Sequence, residues 1–398
     1  MDFQLSDEQI AFKNSVFNFA RKEIGLNDEE TQKYDEKNEF RWDVWKKIAN
    51  FGLLGLPLPE KYGGAGADTL TTLVGMEAFA HGAGDQGTSL AWGAHTVLCG
   101  VPIMLLGTEA QKERYLPKIA TGEWIGGFAL TEPNAGSDAA AVQLRAVKKG
   151  DKYILNGTKM FITNGPIGKV FVVIASTNKE LKHFGITAFL VESDFPGFSV
   201  ARKLNKMGFR TSPTAELVFE DCEVPAENIL GAEGDGFIGV GLTILEWERS
   251  CLLAAGVGSL EAAMETCIKY AKQRQQFGRP IAEFQAIQHK LADMKVALEA
   301  SRLLVYRVGC MKDKGIPAML EASIAKLYIS EVGLKVADDA VQIHGGYGYM
   351  KEYPVERGYR DAKIGTLGAG TSEIQRMIIS RIILDLKKKS RGGAEHGF

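Results

Sequence analysis

Two carboxylates sit in a run that is otherwise apolar or small: Gly239-Val-Gly-Leu-Thr-Ile-Leu-Glu246-Trp-Glu248-Arg249-Ser-Cys-Leu-Leu-Ala-Ala255. On a helix, positions three and four apart share a face. That places Glu248 on a stripe with Ile244, Leu245, Cys251, Leu252 and Ala255, and turns Glu246 towards Thr243 and Ser250. A carboxylate on an apolar stripe is desolvated, which raises its pKa and makes it a usable base near neutrality. The same pattern also suits a structural ion pair with a neighbouring arginine, and the helix alone does not choose between them.

Other stretches offer binding chemistry. Phe128-Ala-Leu130-Thr131-Glu-Pro-Asn-Ala-Gly136-Ser137-Asp138 is a loop whose backbone amides and two hydroxyls suit a polar ring edge or a phosphate. A plain turn is the alternative. Phe161-Ile-Thr163-Asn164-Gly165 pairs a flat aromatic face with a hydroxyl, though a strand ending Phe-x-Thr is common by chance. Arg274-Gln-Gln-Phe277-Gly278-Arg-Pro-Ile281 ends a helix with a cation suited to a diphosphate or, equally, to the helix dipole. Gln342-Ile-His344-Gly345-Gly346-Tyr-Gly348 is Gly-rich without matching a Rossmann or P-loop pattern, and His344 reads first as a satisfied buried histidine. Gly368-Ala369-Gly370-Thr371-Ser-Glu373 opens a helix, where free N–H groups receive an anion or a carbonyl.

The elements that must hold these residues follow from periodicity. Over 398 residues, two or three domains are expected. Residues 1–125 read as helical, beginning with the capping box Ser6-Asp-Glu-Gln9. Helical runs follow at 42–51, 71–80, 89–106 and 108–119. Residues 126–235 carry short β-branched or aromatic runs at 125–130, 153–156, 170–175, 187–192 and 216–219, as in an antiparallel barrel or sandwich. From 236 to 398 the helical period returns at 238–273, 283–313, 317–343 and 371–387, with a basic, Gly-rich end expected to fray.

Composition excludes several classes. Apolar residues make 45% and charged residues 24%, as in ordinary soluble domains. Lys plus Arg (47) nearly cancels Asp plus Glu (49), which gives no electrostatic basis for nucleic acid or an anionic membrane as partner. The five cysteines lack zinc spacing and read as reduced core thiols, so no metal is expected. The start carries no signal-peptide pattern, and no uninterrupted apolar run of about 18 residues is present to span a bilayer. The expectation is a soluble, cytoplasmic protein.

Taken in order, the motifs resemble the acyl-CoA dehydrogenase family from Ser6 to about Leu386. They are Ala129-Leu-Thr-Glu-Pro-Asn-Ala-Gly-Ser-Asp138, Ile162-Thr-Asn164, Gln273-Arg-Gln-Gln-Phe-Gly-Arg-Pro-Ile281, Gln342-Ile-His-Gly-Gly-Tyr-Gly348, Arg360-Asp-Ala-Lys363 and Gly370-Thr-Ser-Glu373. The resemblance implies an α+β fold with an N-terminal α-helical domain, a middle β-barrel and a C-terminal four-helix bundle. It implies FAD, with Phe128, Leu130, Thr131, Gly136, Ser137, Phe161 and Thr163 near the flavin ring and ribityl chain. Arg274, Phe277, Gln342, Gly345, Gly346, Thr371 and Glu373 would meet the diphosphate and adenine, some of them across a dimer of a homotetramer. The implied reaction is α,β-dehydrogenation of an acyl thioester, its carbonyl polarised by a ribityl hydroxyl and the Ala369 N–H, with Ser137, Arg249 and Gly370 near the substrate.

One departure carries weight. Many family members hold the catalytic Glu where this chain has Ala369. A minority, the isovaleryl and long-chain branches, place it before an Arg on the first helix of the bundle, where Glu248-Arg249 stands. The resemblance then makes Glu248 the base. Phe161 and Glu373 replace the more usual Trp and Gln. A short or branched acyl group on CoA is the first expectation. A carrier-protein-bound aminoacyl or acyl group, as in prolyl-carrier-protein dehydrogenases, is the second. A flavin monooxygenase and a non-catalytic member are more distant readings. An electron-transfer flavoprotein or oxygen would take the electrons.

Overall fold

The computed structural model describes residues 4–25 and 28–386. The expected fraying of 387–398 lies outside the described residues. Helix α1 (Asp7–Ala20) starts at the expected capping box. Ser6 Oγ accepts from the Gln9 N–H at 3.2 Å, and Gln9 Oε1 accepts from the Ser6 N–H at 3.1 Å. Helix α2 (Asp28–Lys37) has no apolar stripe for periodicity to detect. Polar partners hold it instead: Arg41 donates to Thr31 Oγ1 at 2.8 Å, and Arg360 to Asp35 at 2.8 Å. Helices α3 (Trp42–Asn50), α4 (Thr69–Ala83), α5 (Gln86–His95), α6 (Val101–Leu106) and α7 (Glu109–Ala120) fall where the sequence places them.

A single eight-stranded sheet follows. Its strands are β1 (Gly126–Ala129), β2 (Arg145–Lys149), β3 (Lys152–Thr163), β4 (Val170–Ser176), β5 (Ile186–Glu192), β6 (Phe198–Lys203), β7 (Thr214–Pro225) and β8 (Ile229–Leu230). The order is β6-β7-β3-β2-β4-β5-β8, with β1 also on β4. The antiparallel expectation needs one correction: β1 and β2 pair with β4 in parallel. Parallel neighbours need a crossover, and the β2–β3 hairpin provides it between β1 and β4. Strands β2 and β6 escape sequence reading because they are mostly polar, β6 being an exposed edge.

The first helix of the C-terminal part is continuous but not uniform. It runs as a π-helical turn Gly236–Gly241, α8 (Leu242–Trp247), a second π-helical turn Glu248–Leu252, and α9 (Leu253–Gln273). A small hairpin of β9 (Gln275–Gln276) and β10 (Arg279–Pro280) leads to α10 (Gln285–Asp313), α11 (Met319–His344), α12 (Pro354–Ala362) and α13 (Ser372–Ile383). Helices α9, α10 and α11 pack on one another, α13 packs on α11, and α4 lies along α9. Gly258 is required where α4 crosses α9, because a Cβ there would stand 2.1 Å from the Glu77 carbonyl oxygen.

No uninterrupted apolar run spans either of the two most apolar helical stretches. Two helical stretches, Gln86–Leu106 and Gly236–Gln273, are long and apolar enough to cross a bilayer. The first is mostly buried inside the fold, and the second packs against α4, α10 and α11. The apolar character of the first is that of a core helix.

Candidate active site

A cavity of about 730 Å³ lies between the 236–273 helix, α11, α12 and the α4–α5 corner. Glu248 lines it, and so do Ser89, Leu90, Leu252, Ala255, Lys326 and Ala369. Glu248 opens the second π-helical turn, a device that concentrates at functional sites. The wider turn changes the phase a uniform helical wheel assumes. Ile244 and Cys251 go into the core, while Leu252 and Ala255 join Glu248 on the cavity wall. Glu246, expected to face Thr243 and Ser250, forms an ion pair with Lys312 at 2.6 Å. Burial pushes the Glu248 carboxyl up to about 7, against the opposing pull of Arg249 and Lys326.

Ala369 is held facing this carboxylate's cavity by a strained turn. Its φ is +55° and that of Gly370 is +86°. The left-handed conformation costs an L-residue about 1 kcal/mol, so the neighbours must enforce it. Arg249 Nε donates to the Ala369 carbonyl oxygen at 3.1 Å, and Gln375 Nε2 donates to the same oxygen at 3.0 Å and to Gly370 O at 3.1 Å. Among the described residues the Ala369 N–H donates to no protein acceptor. Arg249, 5% exposed, and Gly370 are absent from the cavity wall, and Arg249 serves as a backbone anchor.

The other expected binding residues form two groups, neither on the cavity wall. The first is at the ends of β1 and β3. A register shift between Lys159 and Ile162 turns Phe161 outward, with φ +62° and its side chain 66% exposed. The Thr131 carbonyl accepts from the Met160 N–H at 2.8 Å, so Thr131 and Phe161 are neighbours. Phe128, Leu130 and Thr163 are half-buried beside them, and Gly136 and Ser137 are exposed.

Sequence reading missed what pins this loop. Lys159, fully buried, forms an ion pair with Glu132 at 2.7 Å and donates to the Leu130 carbonyl at 2.8 Å. Glu132 also accepts from the backbone N–H groups of Gln143 and Leu144 at 2.7 and 2.9 Å. Asn164 is a second strut: its Nδ2 donates to Ala91 O at 2.9 Å and Gly126 O at 3.0 Å, joining β3 to α5 and β1. Two buried hydrogen bonds are worth about 1 kcal/mol each. Asn164→Ala is therefore expected to lose about 2–3 kcal/mol in urea unfolding, and an unchanged midpoint would contradict the strut.

The second group is on the bundle. The Arg274 guanidinium lies 5.4 Å from the Tyr347 ring centre, and Phe277 is 93% exposed with φ +54°. Gln342, Gly345 and Gly346 are exposed nearby in the chain. His344 is satisfied, its Nδ1 2.8 Å from Ala340 O and its ring stacked on Tyr270 at 4.1 Å. Thr371 caps α13, Oγ1 accepting from the Ile374 N–H at 3.3 Å, and Glu373 is exposed on its first turn.

The five cysteines are free, and burial pushes the thiols of Cys99, Cys222, Cys251 and Cys267 up to about 12. Among the described residues no cluster of ligands could hold a metal. A flat, polar-edged cofactor fits the first group. Phe161 is exposed, Thr131 and Thr163 are half-buried nearby in the fold, and nothing stands within 4 Å of where a Gly136 Cβ would be.

Comparison with known proteins agrees. The chain matches the acyl-CoA dehydrogenase N-terminal domain over residues 6–123, the middle domain over 127–222 and the C-terminal domain over 234–384. It is 45% identical to an acyl-CoA dehydrogenase of Bacillus subtilis over 380 residues, covering 96% of this chain and 99% of that one. It is 45% identical to mitochondrial isovaleryl-CoA dehydrogenase of Solanum tuberosum over 377 residues, covering 94% and 90%. The solved structure of the prolyl acyl carrier protein oxidase AnaB superposes with a TM-score of 0.92 at 41% identity, covering 96% and 100%. Three consecutive domain matches with this site geometry mean that the chain belongs to the acyl-CoA dehydrogenase family.

Proposed function

We propose that this protein catalyses FAD-dependent α,β-dehydrogenation of an acyl thioester, with Glu248 as the base. The observation that carries this reading is that Glu248 and Ala369 line one cavity, the carboxyl raised to about 7 and the Ala369 N–H without an acceptor among the described residues. Bound FAD would supply the acceptor for the hydride leaving the β-carbon. The chain's own residues do the rest. A Glu248 carboxylate oxygen takes the α-proton, and the electron pair of that C–H bond becomes the new C=C bond. The Ala369 N–H donates to the thioester carbonyl oxygen, where negative charge gathers as the proton leaves. Leu252, Leu90 and Ala255 exclude water from the base.

Phe161, with Thr131 and Thr163, is proposed to meet the flavin ring. Ser137 and Gly136 would lie along the chain beside it, and Thr371 and Glu373 at its far side. The exposed Phe277, Arg274 and the 342–346 turn are proposed to reach the cofactor of a second subunit, in a homotetramer. The free cysteines favour a reducing, cytoplasmic setting. An electron-transfer flavoprotein is the proposed acceptor, with oxygen as alternative.

A short or branched acyl-CoA is the first substrate class. A carrier-bound acyl or aminoacyl group is the second, favoured by the full-length similarity to the prolyl carrier protein oxidase. Anaerobic flavin absorbance decides between them. Bleaching by isovaleryl- or butyryl-CoA assigns the CoA class, and bleaching by prolyl-carrier protein alone assigns the other. A flavin unreduced by either overturns the dehydrogenase reading. Because the ionised base is the active form, reduction should lose rate as pH falls through about 7. A profile flat from pH 6 to 9 would remove Glu248 from the role.

A further inference from the structure

Lys326 is a buried ammonium without a task in the scheme above. It stands on α11, 1% exposed, and lines the same cavity as Glu248 and Ala369. Its Nζ donates to the Gly365 carbonyl oxygen at 2.7 Å. That accounts for one of three N–H donors, and no carboxylate lies within ion-pair distance of it among the described residues. A lysine buried this deeply ordinarily needs an anion nearby. The carboxylates that act on it are Glu248, then Glu373 at the start of α13 and Glu331 on its own helix.

Two cations, Arg249 and Lys326, therefore act on the base. Arg249 follows Glu248 on the same helix, and Lys326 approaches from α11. Lys312 on α10 is already paired with Glu246. Each cation beside Glu248 also spends an N–H on the run that presents Ala369: Lys326 on Gly365 O and Arg249 on Ala369 O. We infer that Lys326 is a positioning residue for proton abstraction, its charge keeping Glu248 ionised at neutral pH while its N–H anchors the turn carrying Ala369. The inference rests on Glu248 being the base.

The direction follows from charge. A nearby cation favours the carboxylate and lowers its pKa, so removing the cation raises it. Burial alone drives Glu248 upward, and Lys326 is one of the two groups opposing that. The ammonium itself is pulled down to about 8 by burial and by Arg249, so it still carries charge across the neutral range. A rise of about one unit in the Glu248 midpoint would take its ionised fraction at pH 7 from about one half to about one tenth. Flavin reduction would fall about five-fold at pH 7 and recover above about pH 9.

Three substitutions in the FAD-loaded protein separate charge from anchoring. Lys326→Gln keeps an N–H donor but no charge, Lys326→Met keeps neither, and Lys326→Arg keeps both. Anaerobic flavin reduction would be followed from pH 6 to 10 with isovaleryl-CoA, or with prolyl-carrier protein if only that bleaches the wild type. The Glu248 carboxyl stretch, identified by its loss in Glu248→Gln, would be titrated by infrared difference spectroscopy. The Gln and Met variants should both raise the midpoint by about one unit in both readouts, and the Arg variant should keep it. Midpoints unmoved in Gln and Met, with rates normal or uniformly low, would overturn the inference. If Glu248→Gln reduces flavin at the normal rate while the infrared midpoint moves, the base assignment fails and the charge coupling stands.

Discussion

Glu248→Gln is expected to bind FAD as the wild type does and to lose flavin reduction by about 10²–10⁴-fold, the range for removing a positioned base. Glutamine keeps the shape of the side chain, so the π-helical turn and the cavity wall have no reason to move. Stability should shift the other way. A carboxyl raised by burial disfavours folding only when ionised, so its cost is absent at pH 4 and grows as pH climbs to about 7. The neutral amide carries no such cost. Melting temperature should therefore rise in Glu248→Gln at pH 8 and change little at pH 4. A variant with normal reduction kinetics would remove Glu248 from catalysis, and one less stable at pH 8 would show that the carboxylate has a satisfied structural partner.

Lys159→Met should have the largest effect on cofactor retention. Lys159 and Glu132 are both almost fully buried, and together they fix the loop carrying Thr131, Gly136 and Ser137. Removing one partner strands a buried carboxylate, at about 3–5 kcal/mol. The loop can avoid that cost by lifting Glu132 into water, and then the proposed flavin-ring contacts go with it. If the whole cost falls on the FAD-bound form, affinity drops by about 10²–10³-fold or more. The purified variant should be pale and melt at lower temperature. Adding Glu132→Gln should recover much of the loss, because the buried charge is then gone. Full FAD content in Lys159→Met would mean that Asn164 and the β1–β3 contacts suffice.

Much of this was legible along the chain. The Ser6 capping box, the run at 42–51 and the long helices at 285–313 and 319–344 announce themselves by caps and period. Helix α2 and strands β2 and β6 do not: polar contacts to Arg41 and Arg360 hold α2, β2 is mostly polar, and β6 is an exposed sheet edge. The helical wheel selected the inward carboxylate and turned Glu246 away from it, but it could not show Lys312, which α10 brings to Glu246. Arg249 suggested a substrate contact, and the fold adds that its Nε donates to the Ala369 carbonyl.

What the sequence alone determined is the family, the order of helical and strand regions, and the two carboxylates from which the base is chosen. These depend on residue type and local spacing, which one chain displays in full. Only the tertiary structure decided that Glu248 shares a cavity with Ala369, that Lys326 lines the same cavity, and that Lys159 locks the loop after β1. Desolvation and charge act through space, and a carboxyl takes its pKa from neighbours that other helices bring to it.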